Sequence, residues 1–186
     1  VCSSDLLLSR ERRLAQGKVC LHFSQIAWAL QAAHRAGVIH RDLSSANIFL
    51  AESEEGRHAV PKILDFGVSK FLGPSIDGRV RTADGAVLGS PAYMSPEQAC
   101  GADGVDERTD IWALGVLMYE CLTGSRPFTG ANYNALLFAI LNAPHQPLIE
   151  AMPEVDPELA ELVSSCLVKD RSVREYSARH VAERLE

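Results

Sequence analysis

Two aspartates and an asparagine, Asp42, Asn47 and Asp65, are the residues of this chain best suited to hold a hard cation and steer a hydroxyl. Asp42 and Asn47 sit five apart in a polar stretch, a spacing that can aim both side chains into one cavity. Asp65 closes the short run Lys62-Ile63-Leu64 and can enter the same cavity from the other side. Mg²⁺ takes hard oxygen ligands and keeps several waters, so one carboxylate and one amide oxygen beside phosphate oxygens suffice to bind it. Gly67, just beyond Asp65, permits a sharp backbone turn there. The competing reading is that these are ordinary loop residues, since Asp and Asn cap turns readily.

Such residues need a scaffold, and the hydrophobic pattern supplies one. Val19 to Ala36 carries apolar residues at Val19, Phe23, Ile26, Ala27, Leu30 and Ala33, a helical spacing that Gly37 terminates. Ile48-Phe49-Leu50 and Lys62-Ile63-Leu64 read as two short strands around a polar loop from Ala51 to Pro61. Gly73 to Ala86, rich in Gly, Ser, Asp and Arg, reads as a mobile segment. Asp110 to Leu122 is apolar on nearly every face, which predicts a central buried helix stopped at Thr123-Gly124. Asn132 to Leu141, Pro157 to Leu167 and Ala178 to Leu185 predict three further amphipathic helices. The expected fold class is mainly α with a small β element (α+β), without internal repeats.

Length and composition set outer bounds. A chain of 186 residues, 47% apolar and 23% charged, suits one globular domain with a real core. A formal net charge of −6 gives no general attraction to nucleic acid or anionic lipid. Five scattered cysteines with no C-x-x-C pair argue against a disulfide framework or a zinc site, and read as reduced thiols in a cytoplasmic protein. The most apolar stretch, Ile111 to Leu122, is too short to span a bilayer and contains Glu120. Val1 to Leu6 coincide with the translation of a common sequencing-adapter end. Residues 1–6 are therefore read as non-native and 7–186 as the domain, with a native terminus that happens to match as the alternative.

Four strings carry a family resemblance. Val38-Ile39-His40-Arg41-Asp42-Leu43-Ser44-Ser45-Ala46-Asn47-Ile48 resembles the catalytic loop of protein kinases, and Lys62 to Lys70, with Asp65-Phe66-Gly67, resembles their magnesium loop. Gly89-Ser90-Pro91-Ala92-Tyr93-Met94-Ser95-Pro96-Glu97-Gln98 is similar to the end of an activation segment. Asp110-Ile111-Trp112-Ala113-Leu114-Gly115-Val116 through Arg126-Pro127-Phe128 is similar to the central helix and its exit. Their order and wording match bacterial eukaryotic-like serine/threonine kinases from Leu7 onward.

The resemblance implies ATP and Mg²⁺ as cofactors and a protein bearing Ser or Thr as substrate. It implies that Asp42 orients or deprotonates the substrate hydroxyl, and that Asn47 and Asp65 hold Mg²⁺ near the ATP phosphates. Phe49 would form the floor under adenine, or else be a core aromatic. His40 and Phe66 would be packing residues that align the lobes. Glu97 and Arg174 would form a buried ion pair, against the alternative of two solvated charges. Asp110 would accept hydrogen bonds from the catalytic-loop backbone, with a helix N-cap as the rival reading. Arg41 beside Asp42 would answer to a phosphate on Thr82 or Ser75, while Ser90 would contact Asp42 rather than be modified.

Two departures qualify the resemblance. Serine/threonine kinases place a lysine two residues after the catalytic aspartate, where this chain has Ser44. One positioned electrostatic donor is commonly worth roughly 10²–10³ in rate. The family's Gly-rich strand turn, strand lysine and partner helix glutamate are not identifiable in these residues, so the chain reads as the large C-terminal lobe without the N-terminal β lobe. That missing lobe is then an expected partner, and the surface meeting it an expected apolar patch. Without that lobe these 186 residues are expected to be inactive. A kinase-like docking module without catalysis remains the alternative.

Overall fold

The structure, a computed structural model, describes residues 13–52, 59–66, 91–101 and 104–186. Helix α1 spans Gln16–Arg35 and is followed by a 3₁₀ turn at Ser45–Asn47, then by strands β1 (Ile48–Glu52) and β2 (Ala59–Ile63). A 3₁₀ turn at Pro91–Tyr93 leads to the short α2 (Pro96–Ala99). Then come α3 (Arg108–Thr123), α4 (Tyr133–Asn142), α5 (Leu148–Ala151), α6 (Pro157–Cys166) and α7 (Ala178–Leu185). The described residues are mainly helical with one two-stranded sheet.

Helix α3 is the axis of the core, with every residue buried except Arg108 and Glu120. Helix α6 packs directly against it, and Gly115 is what allows that approach. A Cβ at Gly115 would lie 2.7 Å from Cys166 Cβ. Cys121 and Cys166 fill core space, and burial pushes both thiols up to about 12, so they stay protonated. Helix α1 turns Val19, Phe23, Ile26, Ala27 and Leu30 to the same core. It ends in a Schellman arrangement: Gly37, at φ 75°, donates to His34 O, and Val38 N donates to Ala33 O. That stop redirects the chain straight into the His40-Arg41-Asp42 loop.

The remaining helices are fastened locally. Asp156 and Ser177 cap α6 and α7 with side-chain acceptors, and Asn132 does the same for α4. Trp28 Nε1 donates to Glu186 Oε1 at 2.8 Å, and Gln31 accepts from Arg179 N, which seats α7 on α1. Lys169 Nζ donates to Ala139 O and Ile140 O and sits 4.3 Å over the Phe128 ring, closing the C-terminal end of α4. Burial lowers that ammonium to about 8.

The strands correct the sequence reading. The polar loop expected from Ala51 to Pro61 is shorter, because β1 continues to Glu52 and β2 begins at Ala59 and ends at Ile63. Antiparallel pairing runs from Ile48↔Ile63 to Glu52↔Ala59, with Pro61 opposite Leu50. Ladder bonds extended the strands past the apolar triplets, and a two-stranded sheet has only edges, where proline is tolerated. The helices are close to expectation. The one-turn α2 and α5 and the two 3₁₀ turns are too short for periodicity to reveal. Among the described residues, Cys20, Cys100, Cys121 and Cys166 are free thiols, and no helix is long and apolar enough to cross a membrane.

Candidate active site

Between Gly37 and Asn47 the chain has little regular structure, so the groups that hold this loop determine where Asp42 and Asn47 sit. Asp110 is the main anchor. It lies inside α3, fully buried, with Oδ2 accepting from His40 N at 2.9 Å and Oδ1 from Arg41 N at 2.8 Å. His34 Nε2 lies 2.8 Å from Oδ2. A buried carboxylate is costly unless its lone pairs are used, and here three donors meet it. The N-cap position of α3 belongs to Glu107, so Asp110 does not cap the helix.

His40, fully buried, joins the two halves of the site. Asp42 N donates to its Nδ1 at 3.3 Å, which leaves the proton on Nε2 to bond Leu64 O at 3.0 Å. Its ring lies 4.9 Å from that of Phe66. Asn47 Nδ2 donates to Asp42 O at 2.8 Å, so the Asn47 amide oxygen is the atom left to ligate a cation. Leu64 N donates to Asn47 O at 2.8 Å, one rung beyond β2, and this sets Asp65 beside Asn47. The hydrogen bonds therefore link the backbones that carry Asp42, Asn47 and Asp65 into one ring through His40 and Leu64.

Two residues in that ring adopt left-handed backbone, Arg41 at φ 63° and Asp65 at φ 51°. Each such conformation costs a non-glycine residue about 1–2 kcal/mol and persists only where neighbours enforce it. Arg41 is gripped on both sides: Asp110 takes its N–H, and Gln98 Nε2 donates to its carbonyl at 2.7 Å. Leu64, just before Asp65, is bonded through both its N–H and its carbonyl. The strain is thus stored next to the two carboxylates that could do chemistry.

Glu97 and Arg174 meet in a separate buried cluster. Arg174 Nη1 and Nη2 donate to Glu97 Oε1 and Oε2 at 2.7 and 2.9 Å, a bidentate pair. The guanidinium also donates to Val168 O, Arg108 O and Lys169 O, which uses all five of its N–H groups. It lies 5.1 Å over the Trp112 ring. Burial pushes the Glu97 carboxyl up, but Arg174 outweighs burial and holds it below the ordinary range.

The other residues singled out in the sequence are scattered or undescribed. Phe49 is half-buried on β1 opposite Lys62. Val38, Val60 and Leu64 are large apolar side chains left exposed. Ser44 is buried at the start of the 3₁₀ turn, with no cationic side chain in its place. Gly67, Ser75, Thr82 and Ser90 lie outside the described residues.

Sequence reasoning missed His34, Gln98 and the trio Ser45, Tyr93 and Glu120. Gln98 had a visible signal, because Ser95-Pro96-Glu97-Gln98 fits the capping box that the structure forms. His34 had a positional signal, falling four residues after Leu30 on the apolar face of α1, but nothing local pointed to Asp110 as its partner. Among the described residues no three His, Cys, Asp or Glu side chains converge to hold a metal unaided. The Asp65 carboxylate and the Asn47 amide oxygen fit a hard cation that brings phosphate and water oxygens with it.

Comparison with known proteins gives the family. The chain matches the family described as "Protein kinase domain" over residues 3–184. It is 38% identical over 182 residues to serine/threonine-protein kinase pkn3 of Myxococcus xanthus, covering 96% of this chain and 33% of that protein. It is 39% identical over 171 residues to serine/threonine-protein kinase pkn2 of the same organism, covering 91% of this chain and 20% of the relative. Identity to serine/threonine-protein kinase PknA of Mycobacterium tuberculosis is 33% over 177 residues, covering 95% of this chain and 38% of PknA. The chain thus spans two-fifths or less of the length of these curated relatives. With its loop anchored on α3, its buried Glu97–Arg174 pair and these matches, the chain belongs to the protein kinase family and is similar to bacterial proteins named serine/threonine-protein kinases.

Proposed function

We propose that the chain carries the large lobe of an ATP-dependent serine/threonine protein kinase. The observation that carries the reading is the ring of hydrogen bonds linking the backbones of Asp42, Asn47 and Asp65. In this reading Asp42 accepts the proton of a substrate Ser or Thr hydroxyl as its oxygen bonds the γ-phosphorus. The bond from that phosphorus to the β–γ bridging oxygen breaks, and ADP leaves. Asn47 and Asp65 hold Mg²⁺, which when bound offsets phosphate charge. Phe49 floors the adenine, and Val38, Val60 and Leu64 lie where a small lobe docks. Arg41 would pair with a phosphate on Thr82 or Ser75.

The test uses this chain joined to a kinase small lobe that carries a phosphate loop and a strand lysine. Given Mg²⁺ and γ-labelled ATP, it transfers label to Ser or Thr of a protein acceptor, and Asp42→Asn lowers the rate by roughly 10²–10⁴, the usual worth of a positioned general base. An Asp42→Asn variant as active as the parent would sink the assignment. Ser44 favours a second reading, a docking module that binds partners without transfer, because a buried hydroxyl cannot supply an ammonium's field. In that case the same preparation binds its partner and leaves ATP intact.

A further inference from the structure

The loop carrying Asp42 is held at its start by Asp110, across its middle by the Asn47 side chain on Asp42 O, and at its end by the β1–β2 pairing. Ser44 stands at the N-cap of the Ser45–Asn47 turn, and its hydroxyl accepts no backbone N–H of that turn. The turn's own bonds are Asn47 N to Ser44 O and Ile48 N to Ser45 O. One side-chain contact reaches it from outside. Tyr93 Oη lies 3.1 Å from Ser45 Oγ and 2.6 Å from Glu120 Oε2.

The direction of these bonds follows from proton count. A phenol has one proton and a carboxylate only accepts, so that proton lies on the shorter contact to Glu120. Ser45 Oγ–H then donates to the phenol oxygen. Burial and the Glu120 bond hold the Tyr93 phenol well above its ordinary range, while the Ser45 bond acts the other way, as a donor must. Tyr93 therefore stays neutral at physiological pH and the chain keeps its polarity. Arg126 Nε, 3.5 Å from Glu120 Oε1, flanks the far end. The stretch from Tyr93 to Gln98 thus grips the loop twice, at Ser45 through Tyr93 and at Arg41 through Gln98, one point on each side of Asp42.

We propose that Ser45, Tyr93 and Glu120 form a positioning tether, in which a hydroxyl–phenol–carboxylate chain holds the turn bearing Asn47 against the core helix α3. The bonds stand by themselves, and their catalytic consequence rests on the phosphoryl-transfer reading above. Ser45 acts through Asn47: with the tether intact the Asn47 amide oxygen keeps one orientation, and without it the turn pivots on buried Leu43. Because Tyr93 lies on the segment entering α2, a shift of that segment loosens the loop on both sides of Asp42 together.

The experiment measures hydrogen exchange at the Asn47 and Ile48 amides by NMR in the full chain. Ser45→Ala and Tyr93→Phe each speed exchange about fivefold, the effect of one net hydrogen bond, and the double variant goes no further than either single one. Ser45→Thr, which keeps the hydroxyl, restores protection. Mn²⁺ alone serves as the probe of positioning: the concentration that half-broadens the Asn47 side-chain amide signal rises about fivefold in Ser45→Ala, with little change in melting temperature, and recovers in Ser45→Thr. Unchanged exchange in Ser45→Ala, additive effects in the double variant, or Ser45→Thr behaving as Ser45→Ala would each overturn the tether. Should Tyr93→Phe fail to fold, the Ser45 pair of variants decides. Absence of Mn²⁺ broadening in the parent chain removes the cation site, and with it the tether's catalytic role, while the exchange data still judge the bonds.

Discussion

At the scale of single residues, burial separates two kinds of charge. Asp110 and Glu97 are both taken out of water, and each is compensated by named donors rather than by solvent. Breaking a buried pair from one side costs about 3–5 kcal/mol, so Glu97→Gln should lower stability at neutral pH by that order. The pH dependence has a definite sign. The folded carboxyl lies below its ordinary 4.5, so its contribution is fully present above that value and is lost as pH falls through the folded pKa. Denaturant melts from pH 7 to pH 3 should show parent and Glu97→Gln converging at the acid end; a constant gap would disprove the linkage. The residue types at Asp42, Asn47 and Asp65 were legible in the sequence because hard-ligand chemistry admits few alternatives. The hydrogen bonds that link the backbones carrying them were not, since these use main-chain atoms of Leu64, Asn47 and Asp42 that carry no sequence signature.

At the scale of elements, helices were legible wherever a stripe of apolar residues repeated for several turns, as in α1, α3, α6 and α7. Where an element is one turn long, as α2 and α5 are, periodicity has nothing to count. Strand limits slipped for a related reason: β1 and β2 end where pairing ends, not where apolar residues do. The contact between α3 and α6 gives a sharp test. A methyl group at Gly115 meets Cys166 Cβ at 2.7 Å and the Leu167 side chain just beyond, so Gly115→Ala should cost about 1–3 kcal/mol through overpacking despite the better helix propensity of alanine. A thermal melt equal to or above that of the parent would show that the two helices can separate freely. Gly37, by contrast, has open space around its Cα, and its substitution is penalised only by the left-handed backbone.

At the scale of the molecule, one core organised around α3 supports both buried clusters, Asp110 beneath the Asp42 loop and Arg174 beneath α2. The 186 residues should therefore melt as one cooperative unit in calorimetry. Alone they should transfer phosphate at least about 10³-fold more slowly than a preparation that includes a phosphate loop and strand lysine, because positioning supplies several kcal/mol of such a reaction. Efficient transfer by the isolated 186 residues would overturn that view. By itself the amino-acid order determined the main helices, the buried character of α3 and the candidate chemistry, because apolar periodicity and oxygen-ligand type are local properties of a chain. Only the tertiary structure decided which polar groups meet: that Asp110 anchors the loop instead of capping a helix, that Arg174 spends all five donors beneath α2, and that Tyr93 reaches Ser45. Such pairings join residues dozens of positions apart, and no local pattern encodes the packing that brings them within hydrogen-bond distance.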